Sequence, residues 1–288
     1  MRLKFLIPIF AFSALFADDS AMNVPSLTKS ESVEPIGDVA ATTPPSQTSS
    51  RRRSCQPPCL YPFRVQIGGN YTYAWVTPNG SDTTKGNLGG VQTIVEYRPP
   101  DSFYGALAFN WRMGTTENSI TERKIKDFNT QERFGFTFSR DMAKARLTLF
   151  TGFGSRYLPE EVIVGSSSVD FDYVEFYVPV GFLFEVQPFT HFSWGLNFIW
   201  MPQVFPTVRI DPLSGAFWDL TYEKGNFYAE MPFKFATCFD GFAVIVSPFV
   251  ESWHDGHTTA TTNTGSVLDL PANKYLFTGV NLNFAFSF

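Results

Sequence analysis

The sequence predicts an all-β fold, a transmembrane antiparallel up-and-down β-barrel of about ten strands, with twelve as the alternative count. Three observations carry that expectation. Apolar and polar residues alternate with period two in ten segments between Phe63 and Phe288. Long and short connections alternate between those segments. Beyond the first seventeen residues no run approaches eighteen apolar positions, yet the chain is 44% hydrophobic and holds 32 Phe. Only helices and closed barrels satisfy every backbone hydrogen bond in lipid, so an apolar, strand-patterned chain without a spanning helix points to a barrel.

Residues 1–17 read as a secretory signal. Arg2 and Lys4 form a basic start, Phe5 to Phe16 form an apolar stretch too short to span a bilayer, and Ala17 precedes the expected cut. Residues 18–60 are rich in Ser, Thr and Pro, have no aromatic residue, and carry Arg51, Arg52 and Arg53. Such a segment buries too little apolar surface to offset its ordering entropy and is expected to be a flexible periplasmic arm. Export implies an oxidising compartment for Cys55, Cys59 and Cys238. Cys55 and Cys59 can pair with each other, or one can bridge to Cys238. Three cysteines leave one over, so disulfide-linked envelope proteins are a further partner class.

The barrel is expected over residues 61–288. In the first strand Phe63, Val65, Ile67, Tyr71, Tyr73 and Trp75 share a face opposite Arg64, Gln66, Asn70 and Thr72. Val91 to Tyr97 mark the second strand, Phe103 to Trp111 the third, Phe134 to Phe138 the fourth and Leu147 to Phe153 the fifth. The sixth is the most regular: Val174, Phe176, Val178, Val180, Phe182, Phe184 and Val186. Phe192 to Trp200, Phe227 to Phe235, the less regular Phe242 to Trp253, and Tyr275 to Phe288 complete the ten.

Four connections are short: Pro99 to Ser102, Asp141 to Lys144, Gln187 to Phe189, and Cys238 to Gly241. Five are long: residues 77–87, 114–130, 158–171, 202–225 and 254–273. Short turns on one side with both termini, and long loops on the other, form the asymmetry of a barrel with periplasmic turns and extracellular loops. An even count closes the sheet without an edge. Ala216 to Tyr222 either adds a hairpin, making twelve strands, or extends the barrel above the membrane. Trp75, Tyr97, Trp111, Tyr157, Trp200 and Trp253 fall near strand ends, as interfacial girdles require.

In the last strand Leu282, Phe284, Phe286 and the terminal Phe288 share one face. This strand resembles those of bacterial single-chain outer-membrane β-barrel proteins, which end on an alternating strand with a terminal aromatic. The resemblance covers about residues 61 to 288 and is architectural. It implies outer-membrane lipids as surroundings, recognition of the last strand by the barrel-assembly machinery, periplasmic termini and extracellular long loops.

With the apolar faces toward lipid, Arg64, Glu96, Arg98, Arg112, Arg133, Arg146, Arg156, Glu175, Glu185, Glu230, Lys234 and Glu251 point into the lumen. An open lumen of this charge would be a narrow porin-like passage for small solutes with a mild anion preference. A closed one would pair the charges and leave a non-conducting barrel that acts as a structural or adhesin-like surface. Ten strands lie near the closed end of the size range.

A third reading concerns the rim. His254, Asp255 and His257 follow the ninth strand, and Asp170 and Asp172 open the sixth. The set resembles that of the omptin proteases, ten-stranded barrels in which acidic and His–Asp pairs position an attacking water. It departs from them because the acidic pair lies in the third long connection rather than an early one. The expectation is therefore no enzyme, with a rim-site hydrolase as the remote alternative. No metal, cofactor or nucleic acid is expected, the last because the net charge of −5 offers no basic surface.

Overall fold

A computed structural model describes residues 62–140, 144–211, 217–237, 239, 241–261, 265 and 267–288. The expected signal, the arm, and Cys55, Cys59 and Cys238 lie outside the described residues. The strands are β1 (Phe63–Pro78), β2 (Thr84–Tyr97), β3 (Ser102–Glu117), β4 (Thr121–Arg140), β5 (Ala145–Val164), β6 (Ser167–Tyr177), β7 (Val180–Phe189) and β8 (Phe192–Trp200). They continue with β9 (Thr207–Asp211), β10 (Phe217–Asp219), β11 (Phe227–Glu230), β12 (Phe233–Ala236), β13 (Phe242–Asp255), β14 (Thr258–Thr261), β15 (Val267–Leu270) and β16 (Asn273–Ser287).

Ten staves form a closed antiparallel ring. β1 to β5 pair in sequence, β6 with β7 makes the sixth stave, β8 the seventh, β11 with β12 the eighth, and β13 and β16 the last two. β16 returns to pair with β1 from Arg64↔Ser287 to Pro78↔Asn273. Phe288 adds a reciprocal bond, its N–H donating to the Phe63 carbonyl at 3.0 Å. The breaks inside the sixth and eighth staves follow from proline, which has no N–H to donate. Tyr177 faces Gly154 and Val180 faces Thr151, so the register passes through Pro179 unchanged. Phe227 faces Trp200 and Phe233 faces Trp194, so it passes through Pro232 in the same way.

The count is ten, not twelve. β10 pairs with β9, and β9 with β6, so this hairpin heightens one wall instead of entering the ring. β14 and β15 form a separate two-stranded sheet.

Three of the expected long connections are corrected. Between β1 and β2 the connection is residues 79–83, between β3 and β4 it is 118–120, and between β5 and β6 it is 165–166. The remaining residues of 77–87, 114–130 and 158–171 continue the strands. Loss of the apolar face suggests a loop in sequence, but above the lipid a polar outer face serves a strand equally well. Lys124 Nζ meets Glu161 at 3.1 Å across β4 and β5 on that outer face. Gly165, at φ +61°, supplies the left-handed turn that closes the tightest of these hairpins.

The outer wall is apolar over most of its height. Phe134, Phe136, Phe138, Leu147, Leu149 and Phe153 on two adjacent staves are all exposed, an arrangement that only lipid makes favourable over so large an area. Toward the hairpin end Trp111, Phe128 and Tyr157 form a stacked row across β3, β4 and β5, with ring centroids 5.8 and 6.3 Å apart. At the turn end Phe63 and Phe288 lie 5.3 Å apart where the ring closes. Trp253, expected in a girdle, is instead fully buried inside. It shares the phase of Glu251 and Asp255 on β13, so its ring must point where theirs do.

Candidate functional site

The twelve charged residues expected to face the lumen all project inward, and most of them pair with other charged groups. Near the turn end Arg64 pairs with Glu96. Glu185 receives Arg98 at 3.2 Å and Lys234 at 3.9 Å. Arg98 also donates through Nε to Thr148 at 2.8 Å. Arg146 stands opposite Glu185 in the β5–β7 register. Arg133 donates to Gln131 at 2.9 Å and lies 5.3 Å from the Phe150 ring centre.

The middle of the barrel is bridged by neutral groups. Asn70 donates to Asn110 at 2.9 Å, and Gln92 to Asn283 at 2.8 Å. Glu230 accepts from Tyr228 at 2.7 Å and from Asn197 at 2.6 Å. Toward the hairpin end lies the densest layer. Arg112 of β3 reaches Asp127 of β4 at 2.6 Å and Glu251 of β13 at 2.7 Å. Arg156 of β5 meets the same Asp127 at 3.0 Å and Glu175 of β6 at 3.3 Å.

Asp127 is the hub of that layer, and sequence reading missed it because residues 114–130 were expected to be a loop. The signal was present: Asp127, Asn129, Gln131 and Arg133 share one phase along β4. The guanidinium groups are also covered by aromatic faces. Arg112 lies 3.8 Å over Phe277, and Arg156 lies 4.5 Å over Trp253. Both arginines are 1% exposed. A buried ion costs several kcal/mol unless paired with good geometry. Here Arg112 finds two carboxylates and Arg156 three, the third being Asp255 at 3.7 Å, which requires residues from five staves to meet at one level. The Arg112–Glu251 pair joins β3 to β13, and Arg156 of β5 lies 3.7 Å from Asp255 of β13, so these contacts cross the lumen, while the pairs among β3, β4, β5 and β6 link consecutive staves.

Two spaces flank these layers. A cavity of about 50 Å³ near the turn end is lined by Arg64, Glu96, Arg98, Glu185 and Lys234. It has room for a few waters, and for little more. A bowl of about 830 Å³ opens at the hairpin end between the tips of the first three hairpins, with Pro78, Ile120, Arg123, Val162, Val164 and Lys274 on its walls. Beneath it Glu160 accepts from Arg123 at 2.7 Å and from Tyr275 at 2.9 Å.

The expected rim set is not brought together. Asp170 and Asp172 project from the outer face of β6. Asp172 is engaged by Arg209 of β9 and by the Tyr157 hydroxyl at 3.1 Å. Hydrogen bonding to the Asp172 carboxylate holds the Arg209 guanidinium above its ordinary value. His254 faces outward from β13 while Asp255, its neighbour, is fully buried inside, because consecutive strand residues face opposite ways. His257 pairs with Asp269 of β15. These groups do not converge on a common water. Among the described residues no group of three or more His, Cys, Asp or Glu is arranged to hold a metal ion.

No family model matches the chain, and no curated protein does. Solved structures do. The outer membrane protease OmpT from Escherichia coli aligns at 9% identity with a TM-score of 0.53, covering 78% of this chain and 96% of that one. Ail, the attachment invasion locus protein of Yersinia pestis, aligns at 11% identity with a TM-score of 0.36, covering 77% and 98%. The TodX monoaromatic hydrocarbon channel, as its deltaS2S3 mutant, aligns at 6% identity with a TM-score of 0.40, covering 79% and 91%. The likeness to OmpT is one of fold. The chain has the architecture of the bacterial outer-membrane β-barrels, which supports the resemblance drawn from its last strand.

Proposed function

We propose that this chain is a bacterial outer-membrane barrel that is closed to solutes and serves as a structural and surface-interaction protein. Its termini and short turns face the periplasm, its long hairpins face the outside, and its last strand carries the signal read by the assembly machinery. The observation that carries the closed reading is the Arg112–Asp127–Arg156 layer, whose contacts with Glu251 and Asp255 of β13 cross the lumen. A conducting pore needs charges that remain hydrated and unpaired with each other, whereas these are desolvated and mutually satisfied. The bowl and the raised wall of β9 and β10 then form the face presented to other molecules. The narrow passage expected from the mixed interior charge is set aside on the same geometry.

Solute uptake tests this reading. Proteoliposomes carrying the refolded full chain are expected to swell in isosmotic arabinose no faster than protein-free vesicles. Swelling that scales with protein content would overturn it.

A further inference from the structure

We propose that the outer wall of β3, β4 and β5 docks within the membrane against a second copy of this chain, through a polar patch centred on Glu132. β4 presents Phe138, Phe136, Phe134, Glu132, Thr130 and Phe128 in turn to the outside. Glu132 is exposed and is the single Asp, Glu, Lys, Arg or His in the apolar band of any stave among the described residues. At a rise of about 3.3 Å per residue and the tilt usual for such barrels, it lies about 10 Å inside the Trp111–Phe128–Tyr157 row. It makes no hydrogen bond or ion pair within its own chain among the described residues. A side chain of this length cannot reach the headgroups from there, and a carboxyl exposed to hydrocarbon is among the costliest placements in a membrane protein.

The residues around Glu132 show what would satisfy it. Thr130 and Ser155 face each other across β4 and β5 one step toward the hairpin end, with their hydroxyl oxygens 2.8 Å apart. One hydroxyl of that pair donates to the other, which leaves the second O–H free to donate outward. Thr151 lies on the same face beside Phe134. The patch therefore carries an acceptor and a donor one step apart along the same two staves. A two-fold axis normal to the membrane brings the two patches to the same level, and the glutamate side chain is long enough to reach one step along the stave, so the carboxyl of one chain meets the hydroxyl pair of the other twice over. Exposed Leu107, Phe109, Phe134 and Phe153 surround the patch and would exclude lipid from those bonds. A lipid tail supplies no donor, and an unrelated barrel would match this set only by chance.

The full chain in phospholipid vesicles tests the proposal, read by quantitative cross-linking across a range of protein-to-lipid ratios. Wild type is expected to show a dimer fraction that rises with that ratio. Glu132→Leu is expected to retain the heat-dependent shift in gel mobility that marks a folded barrel and to weaken association at least tenfold. Ser155→Cys, with Cys55, Cys59 and Cys238 replaced by Ser, is expected to form an oxidised dimer, while Val246→Cys on the opposite wall is not. A monomeric wild type at every ratio, or equal association of Glu132→Leu and wild type, overturns the proposal. Were Glu132→Leu not to fold, the wild-type titration and the cysteine pair would still decide it.

Discussion

Asp127 holds two buried guanidinium groups at once. Replacing it with Ala leaves Arg112 with Glu251 alone and Arg156 with Glu175 and the more distant Asp255, at a level where both arginines are buried. Breaking a buried pair by removing one member costs about 3–5 kcal/mol. Asp127→Ala is therefore expected to lower stability by that order in urea unfolding of the vesicle-embedded protein. A loss under about 1 kcal/mol would mean that the layer is more hydrated than its burial implies. Asp172 and Arg209 provide the contrast. Their pair sits on the outer rim, with the Arg209 side chain 41% exposed. Exposed pairs contribute about 0–1 kcal/mol, so Asp172→Ala is expected to leave the same unfolding curve nearly in place.

Glycine is required where β2 and β3 approach. A Cβ on Gly90 would fall 1.9 Å from the Trp111 carbonyl oxygen, and one on Gly114 would fall 2.1 Å from that of Asn87. Backbone carbonyls cannot move aside without breaking the ladder, so Gly90→Val is expected to abolish the folded, heat-shiftable band on cold gels. By contrast β14 and β15 pair with each other alone. Exchanging residues 258–270 for a short Gly-Ser linker is expected to leave that band intact, and its loss would show that the hairpin supports the barrel. At this scale much was legible in sequence. The ten staves, the even count and the inward phase of the charged residues all follow from period two, since that phase is a backbone property. What escaped was where the strands end. Sequence alternation reports the lipid face, and it stops at Phe128 and Tyr157, whereas the ladder continues to Glu117, Thr121 and Val164 on polar residues. Trp253 was misplaced against its own phase, because an aromatic near a strand end resembles a girdle residue unless its neighbours Glu251 and Asp255 are followed inward. Glu132 sits in phase with Phe134, Phe136 and Phe138, so its exposure to lipid was readable from the same rule.

Across the whole molecule, the composition of the interior could not reveal whether it conducts. Mixed charge inside a ten-stave ring is compatible with a pore or with a plug, and the difference is a matter of distances. Those distances join β3 and β5 to β13 within one layer, with a bowl at the hairpin end beyond it. The most direct measurement is single-channel conductance of the refolded full chain in a planar bilayer. Wild type is expected to show no steps above leak at either polarity, and discrete, reproducible steps from the wild-type protein would contradict the sealed interior.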